Sequence, residues 1–305
     1  MLTSLSRSDR AGADTRFRRS QIRPGPRWFS KKAARLLVYL FVLAGAFIMI
    51  YPLLWLISAS FKPEDLIFST SSLISPQWTL GNYSDGWNAL DYPFSQFFAN
   101  SLLVCAGAII GNIFSCSLAA YAFARLQFKY KPFWFALMLG GILLPMHVLI
   151  VPQYILFKEL GWIGTLLPLV APKFFATDAF FIFLMIQFIR GIPTELDDAA
   201  RIDGCNHFSF YWRVILPLSL PALVTTAIFT FIWTWSDFFS QLIYLSDEST
   251  YTIPVALSQF IDSTGNSAYG QLFAMSVLSL LPIFGFFLIF QRLLIQGAST
   301  TGLKG

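Results

Sequence analysis

The sequence predicts an all-α, polytopic membrane protein with six transmembrane helices, and three observations carry that prediction. Of its 305 residues, 56% are hydrophobic and only 12% are charged, against about half and a quarter in soluble domains. Apolar runs of membrane-spanning length recur six times along the chain. Lys and Arg fall almost wholly on one side of those runs. Phe alone occurs 33 times, so there is more apolar surface than one water-soluble core encloses, and lipid is the missing solvent.

The elements follow in order. A hydrocarbon layer about 30 Å thick takes about 20 apolar residues in a helix. The runs that meet this length are residues 34 to 59, 97 to 124, 132 to 152, 165 to 189, 218 to 245 and 271 to 295. The fourth contains Pro168, Pro172, Lys173 and Asp178, which predicts a kinked helix facing protein rather than lipid. Ahead of the first run, ten of the 21 basic residues crowd into the first 35 positions, so residues 1–33 read as a basic cytoplasmic tail and 34–305 as the membrane domain. The tail, the 125–131 and 190–217 loops and the C-terminus together hold 18 Lys and Arg, against Lys62 and Lys158 on the other side. That bias puts both termini in the cytoplasm. The first run is too long for the h-region of a cleaved signal peptide.

The net charge of +5 comes from the tail rather than from a folded basic surface, so no nucleic-acid partner is implied. Cys105, Cys116 and Cys205 make no disulfide framework. His147 and His207 lie in different segments and no metal site can be built from them. No phosphate-binding loop, zinc helix or nucleophile elbow occurs, so no catalytic residues are assigned and ATP hydrolysis is not expected of this chain. Asp178 and Asp237 are the acids inside spans; each is costly at mid-membrane and should face a cavity or a partner. Gly107, Gly111, Ser115 and Ala119 repeat every four residues on the second span, a stripe that admits close approach of another helix. Phe229, Phe231, Trp233 and Trp235 on the fifth span read first as lipid-facing or packing aromatics, with stacking on the ring face of a solute as the alternative.

The 190–217 loop carries the most information. Thr194 and Asp197 have capping-box spacing, and Glu195, Asp197 and Asp198 suit the positive end of a helix starting near Glu195. Leu196, Ala199 and Ala200 share a face, and Gly204 after Asp203 supplies a sharp turn. A second helical pattern, Phe208, Tyr211, Trp212 and Ile215, should stop at Pro217. An interfacial hairpin lying on the membrane is the plainer alternative, but the mixed charge of Glu195, Asp197, Asp198 and Asp203 against Arg190, Arg201 and Arg213 suits a protein socket better than anionic lipid.

Asp198-Ala199-Ala200, then Gly204, then Val214, Leu216 and Pro217 resemble the EAA loop of ABC importer permeases with every spacing kept. Asp198 stands where Glu is usual and Val214 where Ile is usual. Over residues 34 to 305 the chain is similar to the carbohydrate-uptake permeases of the smaller maltose type, through Ala120-Tyr121-Ala122-Phe123-Ala124-Arg125, Ala200-Arg201-Ile202-Asp203-Gly204, Trp235-Ser236-Asp237, Thr252-Ile253-Pro254-Val255 and the closing Gly302-Leu303-Lys304-Gly305. The resemblance implies a type I importer permease fold in a bacterial inner membrane. It implies a heterodimer with a second permease, two cytoplasmic subunits that bind ATP and Mg, and an extracytoplasmic solute-binding protein. The solute it implies is a sugar or oligosaccharide, with glycerol phosphate or another polyol derivative as the alternative. It assigns ATPase coupling to Glu195, Asp198, Ala199, Ala200, Asp203, Gly204, Phe208, Leu216 and Pro217, and a substrate pathway to Trp235 and Asp237. A stand-alone carrier and an intramembrane enzyme using Asp178 and Asp237 are the competing classes.

Overall fold

The computed structural model describes residues 31–69, 72–261 and 268–301, with side chains from 35 to 291. Residues 1–30 of the expected tail and the closing Gly302-Leu303-Lys304-Gly305 lie outside the described residues. Among the described residues all regular structure is helical. Two units divide at Pro52 and Leu53. The first contains the apolar beginning of α1 (Lys31–Ser60).

In the second unit, the end of α1 is followed by two short outer helices, α2 (Glu64–Ile67) and α3 (Gly81–Trp87). The next element, α4 (Phe94–Arg125), is 32 residues long, about 48 Å at 1.5 Å per residue. It is the mast on which the unit is built. Its buried polar side chains act as rungs, each holding a different segment, as expected where apolar attraction alone gives no specificity. At its first turns, Asn100 Nδ2 donates to the carbonyls of Ser249 (2.9 Å) and Tyr251 (2.8 Å), and Ser101 Oγ accepts from the Ile253 amide at 2.9 Å. Midway, Asn112 Nδ2 donates to Asp178 Oδ2 at 2.7 Å and Thr230 Oγ1 at 3.1 Å. Near its end, Ser117 Oγ pairs with the Tyr211 hydroxyl at 2.7 Å.

The expected third span, 132 to 152, is not one straight helix. It divides into α5 (Lys131–Ile142) and α6 (Met146–Glu159), bent by 103°. Pro145 is the physical cause: it has no amide to donate and it pushes Leu144 out of the helical region. The fourth span is interrupted, as expected of a kinked helix, into α7 (Leu167–Val170), a 3-10 turn over Ala171–Phe175 and α8 (Ala179–Arg190), with Ala176 left-handed at φ 54°; it does not face protein throughout, since Leu167, Phe174, Phe175 and Phe180 are exposed. The small-residue stripe meets this broken segment. A Cβ on Gly107 would lie 2.6 Å from Val170 Cγ1, one on Gly111 would lie 2.9 Å from Lys173 Cβ, and Ser115 Oγ donates to the Lys173 carbonyl at 2.6 Å.

The 190–217 loop forms α9 (Glu195–Ile202), α10 (His207–Phe210), a π turn over Tyr211–Ile215 and α11 (Leu216–Leu218). Pro217 does not stop the second helix. The preceding π turn, closed by the Leu216 amide on the Tyr211 carbonyl, places Pro217 at the start of α11, where a missing amide is tolerated. The chain turns instead at Ser219, with a bend of 74° into α12 (Leu220–Ser236). After a break at Asp237 come α13 (Phe239–Tyr244), α14 (Ile253–Ser258) and α15 (Tyr269–Thr301). Glu64 carboxylate oxygens accept the first amides of α15, from Tyr269 at 2.9 Å and Gly270 at 2.7 Å. Among the described residues, four helical stretches are long and apolar enough to cross a membrane, and six if each bent pair counts as one span.

Candidate functional site

The end of α4 is where the loop between α8 and α12 is fastened. Arg125 is the centre of the fastening. Its Nη2 donates to the carbonyls of Ile189 (3.0 Å) and Ile192 (2.6 Å), and its Nη1 lies 2.9 Å from Asp197 Oδ2. These are side chains with 6% and 18% exposure. One guanidinium therefore closes the last turn of α8 and the first turn of α9 onto α4, a task its planar fork suits and a lysine ammonium does not. One turn back, the Tyr121 hydroxyl donates to the His207 carbonyl at 3.2 Å. Beneath the loop, Tyr121, Phe210, Tyr211 and Ile215 join Ile186 and Ile189 in one buried apolar cluster. A cavity of about 150 Å3 lies between α4 and α9, with Arg125, Asp197, Ala200 and Cys205 in its walls.

Asp197 explains why the expected capping box does not form. Thr194 makes no side-chain cap, and the turn closes through backbone alone, from the Asp197 amide to the Thr194 carbonyl at 2.9 Å. The carboxylate is drawn away to Arg125. The second helix has the cap instead: Asn206 Oδ1 accepts from the Ser209 amide at 2.8 Å. Between the two helices Gly204 sits at φ 74°. The Gly204 and Cys205 amides return to the carbonyls of Arg201 (3.1 Å) and Ala200 (2.9 Å), the closure that a left-handed residue permits at a helix end. Only glycine takes this conformation without cost.

The loop thus has two faces. Asp197, Ala200 and Leu216 turn toward the protein, and Leu216 and Ala200 pack on the buried cluster. Glu195, Leu196, Asp198, Ala199, Asp203, Gly204, Phe208 and Pro217 are exposed, so Leu196 and Ala199 point outward while Ala200 is half-buried. Ile202, a full apolar side chain, is 87% exposed, with Phe208 and Trp212 also uncovered. Asp198 and Arg201 form an exposed i, i+3 pair at 3.5 Å, worth a few tenths of a kcal/mol. Its looseness leaves both side chains available to a partner.

Trp235 and Asp237 fall in different settings. The Trp235 indole is buried, stacks on Phe231 with centroids 5.4 Å apart, and donates to the Ser279 carbonyl at 3.1 Å. Asp237 is half-exposed at the break after α12, where its Oδ1 accepts from the Ser240 amide at 3.1 Å. Asp178 has the protein partners its cost demands: Lys173 Nζ at 2.9 Å and Asn112. Arg125 stands out in the sequence as a loop charge and as the last residue of Ala120-Tyr121-Ala122-Phe123-Ala124-Arg125, and neither reading pointed to its role as the fastening point. The signal was a lone Arg closing a long span that also carries Asn112, Ser117 and Tyr121 at polar rungs.

With this geometry in view, the relatives are informative. Residues 111–299 match the family described as binding-protein-dependent transport system inner membrane component. The chain is 34% identical over 283 residues to a probable ABC transporter permease protein, YurM, of Bacillus subtilis (strain 168), covering 93% of this chain and 92% of that protein. It is 30% identical to the trehalose/maltose transport system permease protein MalG of Thermococcus litoralis, covering 89% and 97%. It is 33% identical to the arabinooligosaccharides transport system permease protein AraQ of Halalkalibacterium halodurans, covering 85% and 93%. Its fold is similar to a chain in the crystal structure of a bacterial ABC transporter involved in the import of the acidic polysaccharide alginate, with a TM-score of 0.74, 20% identity and coverage of 87% and 98%.

Proposed function

The chain belongs to the binding-protein-dependent transport system inner membrane component family, and from that premise we propose that it is one permease of an ATP-driven importer for a sugar or oligosaccharide. It forms the translocation path with a second permease in the bacterial inner membrane, with both termini in the cytoplasm. Two partner subunits bind and hydrolyse ATP with Mg, and an extracytoplasmic binding protein delivers the solute. Relatives whose names refer to trehalose/maltose and arabinooligosaccharides support the solute class.

The observation that carries the coupling is the two-faced loop: α9 exposes Glu195, Asp198, Ala199 and Ile202 while Arg125 and the Tyr121, Phe210 and Tyr211 cluster hold its other face to α4. We assign the exposed face to a cleft on an ATP-binding subunit. Ala199 permits close approach there, and the Asp203–Gly204 turn and Phe208 complete the surface. Leu216 and Pro217 lead the motion into α12. When ATP closes its subunits, the loop moves as a rigid lever, because it is bound to α4 by charged and aromatic contacts. Such a motion turns the path between the permeases from one side of the membrane to the other. The energy is transmitted only if the contacts differ in the two states. Asp237, at the break after α12, stands at the pathway, and Trp235 positions that break from within the core.

The test is uptake by proteoliposomes holding the whole complex with its binding protein, offered labelled maltose, arabinotriose and diacetylchitobiose. ATP-dependent accumulation of one of them is expected. Accumulation without ATP, or ATPase activity in the purified single chain, would overturn the reading.

A further inference from the structure

Midway along α4 the fold exposes charge where a membrane protein can least tolerate it. Asn112 lies 13 residues before Arg125, roughly 20 Å along the helix, and so deep in the span. Next to it Lys173 and Asp178 pair at 2.9 Å, each side chain still 28% and 27% exposed. The pair sits on the break between α7 and α8, where Ala176 is held left-handed at φ 54° and Thr177 Oγ1 returns to the Pro172 carbonyl at 3.0 Å. A non-glycine residue held in this region marks a conformation that the surroundings impose. Asp178 precedes α8 yet does not cap it; its Oδ2 is engaged by both Lys173 and Asn112. The lysine ammonium has three donors, and with one on Asp178 and the side chain part-exposed, it has capacity for a polar ligand.

Aromatic surface adjoins this polar spot. Trp233, 49% exposed on α12, lies over Phe181 at a centroid distance of 5.2 Å, with exposed Phe180 at 5.4 Å and Phe229 at 5.7 Å. Phe180 is two residues past Asp178, and Thr230, one turn from Trp233, shares the Asn112 amide with Asp178. The same helix therefore divides its aromatics: Phe231 and Trp235 are packed inside, whereas Phe229 and Trp233 are presented outward.

We infer that Lys173, Asp178, Trp233 and Phe180 form a ledge on the solute path that contacts an uncharged polyhydroxylated solute. The inference rests on the proposed importer function and adds to it a site and a charge class. A part-exposed ion pair at mid-membrane is stable against water or polar solute and costly against lipid tails. Exposed rings next to a few placed polar groups are the makeup of a small-molecule site, with the rings covering apolar ring faces and the polar groups meeting hydroxyls. Lys173 is already neutralised by Asp178, so the ledge has no net charge to offer an anion.

The experiment places a cysteine at Trp233 or, independently, at Phe180 in the complete reconstituted complex, with the native cysteines retained. Labelling above the parent is read with sulfonatoethyl methanethiosulfonate, an anionic reagent excluded from lipid. It is read at rest and after arrest with ATP and vanadate, with and without maltose, arabinotriose or diacetylchitobiose and the binding protein. Both positions are expected to label in one state and to lose that labelling in the other, and the sugar that the parent complex imports is expected to slow the reaction. If the parent imports a sugar by ATP but neither cysteine labels in either state, the ledge is refuted and the importer function stands. Labelling that the imported sugar leaves unchanged also refutes solute contact. If the parent imports none of the three, the inference falls with the reading on which it rests.

Discussion

Replacing Arg125 with Ala removes the charge that fastens the loop to α4. Lost are the bonds to the Ile189 and Ile192 carbonyls at 3.0 and 2.6 Å and the contact with Asp197 at 2.9 Å. Removing one member of a buried pair costs about 3–5 kcal/mol. Asp197 is 18% exposed and regains some water once released, so the lower end, about 3 kcal/mol, applies. At 1.4 kcal/mol per factor of ten, this is roughly a hundredfold rise in the local opening of α9. Hydrogen exchange at the amides of residues 199–205 in the purified complex should speed up by about that factor, while amides in the middle of α4 keep their protection. Arg125→Lys should fall between, since one ammonium cannot serve three acceptors in a fixed fork. A double-mutant cycle with Asp197→Asn should show coupling between the two positions. Exchange in α9 that is unchanged in Arg125→Ala would refute the fastening argument.

Further outcomes follow from the same geometry. Gly204→Val meets no atom within 4 Å of its new Cβ, so its cost is the φ of 74° alone, about 1–2 kcal/mol. Gly204→Asn should cost less, and thermal unfolding together with ATPase stimulation by loaded binding protein should rank the two in that order. Gly107→Val should drive Val170 away from a contact at 2.6 Å and destabilise the chain by about 1–3 kcal/mol; Val170→Ala in the same chain should recover part of the loss in thermal unfolding. For orientation, Ser84→Cys, at an exposed position of α3, should react with an impermeant maleimide in right-side-out vesicles, whereas Cys205 should not. The reverse labelling would overturn the cytoplasmic placement of the loop.

Much of the fold was legible because membrane spans are written in composition. The runs that became α1 and α4 lie within three residues of their expected ends, α15 begins two residues before its run and continues six past it, and Gly204 was recognisable as a turn because helical patterns flank it on both sides. The division of the third run was hidden because Leu143, Leu144 and Pro145 sit inside an unbroken apolar stretch, where hydropathy registers length but not direction. The capping box misled for a different reason. Thr194 and Asp197 have the right spacing, but the carboxylate's stronger partner, Arg125, is 72 residues away in the chain, and local patterns say nothing of distant charges. Pro217 was read as a stop because an α-helix was assumed before it, and the π turn changes which amide is missing. The four aromatics of the fifth span looked equivalent in sequence; only packing against α8 and α15 separates the two outward rings from the two buried ones.

In the proposed importer the exposed face of α9 is the seat of an ATP-binding subunit. A photo-crosslinking amino acid at Ile202, 87% exposed in the chain alone, tests it in the assembled transporter. A crosslink to an ATP-binding subunit is expected, with a yield that changes when ATP and vanadate arrest the complex. Crosslinks to lipid alone, in a complex that still imports solute by hydrolysing ATP, would contradict it.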